Sequence, residues 1–583
     1  MAPRRPLRAP STLAALGAAA ALCGALGAAE PRAKPTVPLG PNSLGACPGD
    51  AIAPDLVVEG QFPFELMGAY VMLPFEVPAG TTSVRVKYCY EGEGHTVDLG
   101  LWEARPGKKP WGVAQFRGWG GSSHPDVTIT PQGFSTLMEY EAAPKGHVPG
   151  RTTRGFLPGP IPAGTWAAEL GVGAVVPAEE AGDGFADWRV EIELSDDPSF
   201  DDEPYEPAPY DATPANPAPG WYAGDMHVHA EHSALGDATM TETFEFAFRS
   251  LEDGGAGLDF ITLSDYVTPI GWGEIGRYQA NHPGKLIIRS SEVITYRGHT
   301  NNHASLRYVD HRMGPVYELR LPDGKLKRLR RDQDPKAILK QVRAAGGWTQ
   351  LNHVTTCPSR TPAGEPDPFC LRTCRGCPWD YTRNETKPSQ VDAVEIASGP
   401  PQLFGPTNIF TLTAIAFWEE LLARGARIAA VGSSDSHHAG MPQTVLQSPI
   451  GKATTVVFAR ELSEQGIAEG VRAGHTYVKI FGNEMPDLRL EAVPAGSGGP
   501  PAIFGDTVKG KSVAFAAQVV GSEEEGLELL VVKDGVEIER VPVSLGTTDH
   551  AFASSGPGRY RLEVRRGEQI LVLTSPIYVK GKR

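Results

Sequence analysis

The rhythm of apolar positions changes twice along the chain. Between about residues 36 and 196 apolar and polar residues alternate, in SVRVKYCYE (83–91), VDLGLWE (97–103), TWAAELGVG (165–173) and DWRVEIELS (187–195), with glycine and proline between the runs. Successive side chains of a strand face opposite sides, so a period of two marks a sheet with one buried face. Several such runs separated by turns predict an antiparallel β-sandwich over 36–196. The same alternation returns over 487–583, in SVAFAAQVV (512–520), GLELLVVKDG (526–535) and RYRLEVRR (559–566), and predicts a second, smaller β-sandwich.

The middle of the chain reads differently. LDFITL (258–263), KLIIRSS (285–291), GWTQLN (347–352), VDAVEI (391–396) and RIAAVGSS (427–434) are short continuous apolar runs, as expected of strands buried on both faces. Helical stretches lie between several of them. Asp334–Ala345 has Asp334 as cap, Pro335 in the first turn and Gly346-Gly347 as its stop; a second runs from about Asn408 to Arg424. Strand, crossover helix and strand in repetition predict a parallel sheet or barrel over 221–484. Residues 197–220, rich in proline and acids and without apolar period, read as a stiff exposed linker.

Chemistry gathers at the strand ends of this middle segment. In GDMHVHAEHS (224–233), His227 and His229 stand two apart on a predicted strand, so both imidazoles face one side. Neutral imidazole suits zinc and similar metals. The runs that follow end in Ser264-Asp265-Tyr266, in Glu292, in His353, near Glu395 and in Asp435-Ser436-His437. Groups at the carboxyl ends of parallel strands converge on one rim.

This set resembles the PHP (polymerase and histidinol phosphatase) superfamily. The match runs from about 220 to 482: H-x-H, a strand ending in Ser-Asp, a Glu-bearing strand followed by Gly298-His299-x-Asn301, then Asn-His, then GSSDSH, and finally ARELSEQGIAEGVRAGHTYV (459–478). The flanking FRGWGGSS (116–123), LPGPIPAGTW (157–166) and LTSPIYV (573–579) resemble the CehA/McbA-type metallohydrolases, a branch that includes carbaryl hydrolases. The resemblance implies a distorted (β/α)7 barrel flanked by the two β-sandwiches, and a metal-dependent hydrolase cleaving an ester, carbamate or phosphoester with a metal-bound hydroxide. It implies two divalent metals, zinc first, with manganese or iron as alternatives. His227, His229, Glu292 and Asp435 would hold one, and Glu292 would bridge to another on His299 and His353; His303 rivals His299. Glu395 reads as a structural or substrate-facing acid. Asp435 or His437 would handle protons.

One departure stands out. Relatives end the second strand in Asp-His, where this chain has Asp265-Tyr266. A third metal would draw on His437 with His232, Asp237 or Asp265, and Tyr266 puts it in doubt because a neutral phenol is a poor ligand. Tyr266 would instead donate a hydrogen bond to a leaving group or oxyanion. The contrasting expectation is a catalytically silent barrel serving as an extracytoplasmic surface or glycan-binding module.

Charge and cysteines set the surroundings. Met1–Ala29 carries Arg4, Arg5 and Arg8, then an Ala/Leu run and small residues, the pattern of a secretory leader (1–29). Its apolar run is too short and Ala-rich for a span, and Leu22 stands before Cys23 where a lipobox needs a small residue. A periplasmic or extracellular location is expected, with no stable membrane insertion. The net charge of −15, more acidic still without the leader, excludes nucleic acid as an expected partner and leaves a small-molecule ester or phosphoester. Outside the cytoplasm Cys47 and Cys89 are expected to pair. Cys357, Cys370, Cys374 and Cys377, spaced C-x12-C-x3-C-x2-C, read as two disulfides or a structural zinc site, with export favouring disulfides. The long loop carrying them starts beside the proposed site and would form a wall or lid.

Overall fold

The computed structural model describes residues 36–581 apart from 93, 136, 143–147, 149, 179–182, 358–375, 383, 445–446 and 495–498. The predicted leader, Cys370 and Cys374 lie outside the described residues. The alternating N-terminal runs form two facing sheets. One has four strands, ordered Leu56–Pro63, Phe185–Ser195, Ser83–Tyr90, Asp126–Ile129. The other orders Tyr70–Val77, Gly164–Ala174, Thr96–Trp102 and Phe116–Gly121. The inward positions of both, among them Phe62, Val86, Leu99, Trp166 and Trp188, fill one core. Cys47 and Cys89 are joined, with Cα atoms 5.5 Å apart.

The second sheet recruits strands from outside the predicted N-terminal region. The hairpin of Val316–Arg320 and Lys325–Arg330 docks on its edge, Val316 pairing in parallel with Tyr70. Where the two segments meet, buried Glu169 accepts from Trp102 Nε1 at 2.7 Å and pairs with His311 Nε2 at 2.9 Å. Beside it Arg312 forks onto Asp310, with both contacts at 2.9 Å, and lies 3.6 Å over the Trp102 ring. Asp310 is pulled below the ordinary carboxylate range: burial opposes this, and Arg312 and Arg330 outweigh it. Buried charge survives only when paired this closely.

In the middle segment all five apolar runs become short, buried strands. Gly220–Val228, Phe260–Leu263 and Leu286–Arg289 run parallel in one sheet. Trp348–Leu351, Ala393–Ala397 and Ala429–Gly432 run parallel in another. Helices Pro335–Ala344 and Ile409–Ala423 fall close to expectation, the latter capped by Asn408, whose side chain accepts from Phe410 N.

A regular (β/α)7 barrel is not evident, and two local departures explain why. After Glu292 the chain folds back at once as an antiparallel pair, Glu292–Val293 against Thr300–His303, with no crossover helix. Thr454–Ala459 then runs antiparallel to Gly220–Val228. Single parallel bridges, Tyr266 to Glu292 and Val228 to Ser436, join the two sheets at the carboxyl end.

The C-terminal strands are continuous with the first of these sheets. Gln569–Thr574 pairs with Thr476–Lys479, so the sheet extends through Gly558–Arg566 and Glu528–Lys533. A three-stranded sheet, Asp487–Pro494, Val513–Ser522 and Gly546–Ala553, contributes the other side of this core. The Pro-rich segment, mostly exposed, is tied down by Tyr205 Oη on Glu274 (2.8 Å) and Tyr210 Oη on the Ile287 carbonyl (2.9 Å). No helix among the described residues is long and apolar enough to cross a membrane.

Candidate metal centre

Glu292 lies at the middle of the carboxyl-end rim and is 1% exposed. Its two oxygens face two different pairs of histidines. Oε2 looks toward His227 Nε2 at 3.4 Å and His229 Nε2 at 3.6 Å. Oε1 looks toward His353 Nε2 at 3.2 Å and His299 Nδ1 at 3.3 Å, and also accepts from Asn352 Nδ2 at 2.8 Å. Asp435 closes the first pair, its Oδ1 lying 3.1 Å from His229 Nε2 and 3.4 Å from His227 Nε2. The Asp435 side chain is 27% exposed, the open side of an otherwise buried cluster.

The far nitrogens of three rings are anchored, and for two of them the anchor sets the tautomer. His227 Nδ1 is 3.1 Å from Glu395 Oε1, His229 Nδ1 is 2.8 Å from Ser233 Oγ, and His353 Nδ1 is 3.1 Å from the Cys377 carbonyl. The Glu395 carboxylate and the Cys377 carbonyl can only accept, so they place the proton on Nδ1 of His227 and His353 and leave the Nε2 lone pair facing inward, as in ligating histidines. Glu395 also accepts from the His353 backbone N–H and from Ser433 Oγ, so one acid braces both histidine pairs.

The centre is therefore lined by lone pairs and carboxylates. His227 Nε2 and Glu292 Oε2, 3.4 Å apart, are buried without a hydrogen-bond partner, a costly state unless a cation or proton lies between them. Burial would lower the basicity of His227, yet Asp435, Glu292 and Glu395 hold it well above its ordinary value. Glu292 is held well below the ordinary range by His227, His299 and His353 in spite of its burial. His353, though buried, is pushed up to about 9 by Glu292 and its acidic neighbours. Both signs of shift describe a site that attracts positive charge. His353 and Asp435 also sit at φ +27° and +54°, strained for residues with a side chain and typical of functional positions.

Among the described residues, four groups of ligand atoms lie within 4.8 Å of one another: His227, His229 and Glu292; His227, His353 and Asp435; His229, Asp435 and His437; and His299, His353 and Cys377. The last is weakened by chemistry. Cys377, like Cys357, is disulfide-bonded, and a disulfide sulfur is no thiolate ligand.

The other sequence-predicted residues are placed elsewhere. His303 points away from Glu292, stacking on Trp348 with ring centres 3.9 Å apart and bonding Ser290 Oγ at 2.9 Å; burial pushes it down to about 3. His232 Nδ1 accepts from the Gly155 N–H at 3.2 Å and its ring packs on Phe134. Asp237 pairs with His438 at the surface. Asp265 accepts from the Ala230 N–H at 2.8 Å and is pushed up to about 7 by burial. His437 does reach the centre. Its Nδ1 bonds the Asp435 carbonyl at 3.0 Å and its Nε2 meets Tyr266 Oη at 2.6 Å.

Two supporting residues escaped the sequence reading. Ser233 Oγ serves both His229 and the Tyr266 N–H, the latter at 2.9 Å. Asp225, two residues before His227, accepts from the backbone N–H groups of His227, Ser434 and Gly451 at 2.8–3.1 Å and so ties the first strand to the Asp435 loop. Its carboxylate stands in GDMHVH with the same i, i+2 spacing that exposed the histidines.

No protein-family model matches the chain, and no curated protein matches it. Two solved structures are similar in part. A two-domain protein containing a predicted PHP-like metal-dependent phosphoesterase, from Bacteroides vulgatus, is 17% identical with TM-score 0.30, over 64% of this chain and 98% of its own. A lesion-specific endonuclease from Pyrococcus furiosus is 12% identical with TM-score 0.27, over 45% of this chain and 58% of its own. Likeness at these values leaves the substrate open.

Proposed function

We propose that this chain is an exported metal-dependent hydrolase of the PHP type, cleaving a small ester, carbamate or phosphoester. One observation carries the reading: Glu292 turns one oxygen to His227 and His229 and the other to His299 and His353. A carboxylate shared this way holds two cations side by side. His227, His229, Asp435 and Glu292 would hold one divalent ion, and His299, His353 and Glu292 the other. All-imidazole and carboxylate donors suit zinc, with manganese and iron the alternatives. Bound there, two such ions supply an activated water at neutral pH and polarise the substrate's oxygen.

The chain's own residues do the rest. Glu395 holds His227, and the Cys377 carbonyl holds His353, in the tautomer that presents Nε2 inward, while Ser233 bonds the far nitrogen of His229. Asp435, the exposed member, would take a proton from an attacking water. Tyr266 and His437 lie beside it as a hydrogen-bonded pair, Oη to Nε2 at 2.6 Å, and would bound the space in which the departing oxygen develops charge. The Cys47–Cys89 bond and the oxidised Cys357 and Cys377 fit an oxidising compartment, as the leader implies.

The test is elemental analysis of the purified chain with a screen of carboxylic, carbamic and phosphoric esters, before and after chelation. Hydrolysis abolished by chelation and restored by a divalent ion supports the reading. A metal-replete chain inert on all three classes would favour the surface-module alternative.

A further inference from the structure

The ring that a third cation would draw from the D-x-H motif is hydrogen-bonded at both nitrogens. That ring, His437, has Nδ1 committed to the Asp435 carbonyl, so the Nε2 lone pair accepts the Tyr266 O–H at 2.6 Å. Of the remaining candidates, Asp237 pairs with His438, while His232 Nδ1 and Asp265 Oδ1 accept from the backbone N–H groups of Gly155 and Ala230 and leave His232 Nε2 and Asp265 Oδ2 buried without a hydrogen-bond partner.

What holds the phenol comes from another part of the chain. Trp119, from the FRGWGGSS stretch of the N-terminal β-sandwich, is 6% exposed and packs edge-on to the Tyr266 ring, with centres 6.3 Å apart and planes at 85°. His311 packs against its ring as well, at 6.1 Å. The glycines around it are required by this arrangement. A Cβ on Gly121, which sits at φ +53°, would come within 2.9 Å of the indole, and one on Gly100 within 3.3 Å. Tyr266 is thus confined by Trp119, by the His229 ring at 4.4 Å and by its own N–H on Ser233.

We propose that Tyr266 and His437 form a fixed hydrogen-bonded pair in the place of a third cation, and that Trp119 is the positioning residue that holds it. The FRGWGGSS stretch then exists to complete the site, and the N-terminal sandwich is an integral part of the hydrolase. A phenol free to swing would leave His437 Nε2 open and would present its O–H in many directions. An edge-on indole removes that freedom at a distance where aromatic pairs still attract.

This inference rests on the hydrolase reading for its catalytic consequence, and the experiment separates the two. On the full chain stripped by chelator, side-chain nitrogen NMR of labelled histidine, with His437 assigned through His437→Gln, reports the state of Nε2. The His437 signal is expected to move to that of a free acceptor in Tyr266→Phe and in Trp119→Leu, and to stay in Trp119→Phe, which keeps a ring edge. An unmoved signal in Tyr266→Phe or Trp119→Leu overturns the proposal, whatever the activity. Reloaded with zinc, the wild type is expected to retain two equivalents through dialysis and Tyr266→His three; three in the wild type overturns it as well. In hydrolysis, Trp119→Leu and Tyr266→Phe are each expected to lose on the order of 100-fold in kcat, the cost of a misplaced group. The double variant should lose no more than Tyr266→Phe alone, and multiplied losses overturn the positioning role. Absence of metal and hydrolysis in the wild type would sink the hydrolase reading, with the NMR result still deciding the pair.

Discussion

Glu395→Gln tests how the site is held without touching the inward face of any ring. Glu395 is 1% exposed and accepts from His227 Nδ1 at 3.1 Å, from Ser433 Oγ, from the His353 backbone N–H and, at 3.4 Å, from Gln350 Nε2. A carboxylate has no donors, so all four contacts are satisfied. The glutamine amide keeps the size but offers one carbonyl oxygen, and its NH2 group must face one side of this ring of donors. At least one buried donor is then orphaned, at about 1–3 kcal/mol. The more telling effect is on metal. His227 Nδ1, Ser433 Oγ and Gln350 Nε2 all meet Oε1 and only the His353 N–H meets Oε2, so the amide keeps its oxygen toward His227 and turns its NH2 group to the His353 N–H, and the start of the loop bearing His353 loses its brace. Loss of such a supporting partner typically weakens metal binding by about 10–100-fold. The equivalent on the His353 side of Glu292 should therefore weaken more than the one on the His227 side. Chelator competition with zinc gives the affinities, and denaturant unfolding of the stripped protein gives the stability cost. Affinity equal to wild type for both equivalents, or weakening confined to the His227 side, would refute the bracing role.

His303→Ala should cost roughly 2–4 kcal/mol of unfolding free energy by removing a ring stacked on Trp348, with metal content unchanged. His299→Ala should do the reverse, and denaturation paired with elemental analysis distinguishes them. Cys357 and Cys377 should resist thiol labelling under denaturing, non-reducing conditions and label after reduction; ready labelling without reductant would show free thiols. Glu169→Ala strips Trp102 Nε1 and His311 of their shared acceptor and should lower stability on the order of 3 kcal/mol. An unchanged denaturation midpoint would show that this contact does not hold the sandwich to the middle segment.

The strands were legible because burial on both faces leaves a continuous apolar run, and the site was legible because ligand-type residues follow those runs. Glu292, His353 and Asp435 each stand where a run stops, and the structure places them together. Choosing between His299 and His303 needed three dimensions, since four residues of chain give no sign of which ring meets Glu292 and which meets Trp348. The broken barrel was hidden for a similar reason: Glu292–Val293 is too short to show a direction of pairing, and Thr300–His303 is wholly polar. The hairpin at 316–330 carried a signal that went unread, the turn residues Pro322-Asp323-Gly324 between alternating strands. Its docking on Tyr70 depends on a pairing across more than two hundred residues, which no local pattern encodes. The placing of Trp119 beside Tyr266 depends on the same docking of segments.

The central claim is that Glu292 is shared by two cations, and Glu292→Gln addresses it most directly. The substitution keeps the size and removes the charge that offsets the pair, while the apolar strands that carry the fold are untouched. Metal content and hydrolysis should be measured on wild type and variant with one substrate. The account predicts two tightly held equivalents in the wild type, one of them lost in the variant, and hydrolysis lower by several orders of magnitude, since metal activation of water is its main source of rate. Two equivalents retained with full activity in Glu292→Gln would contradict it.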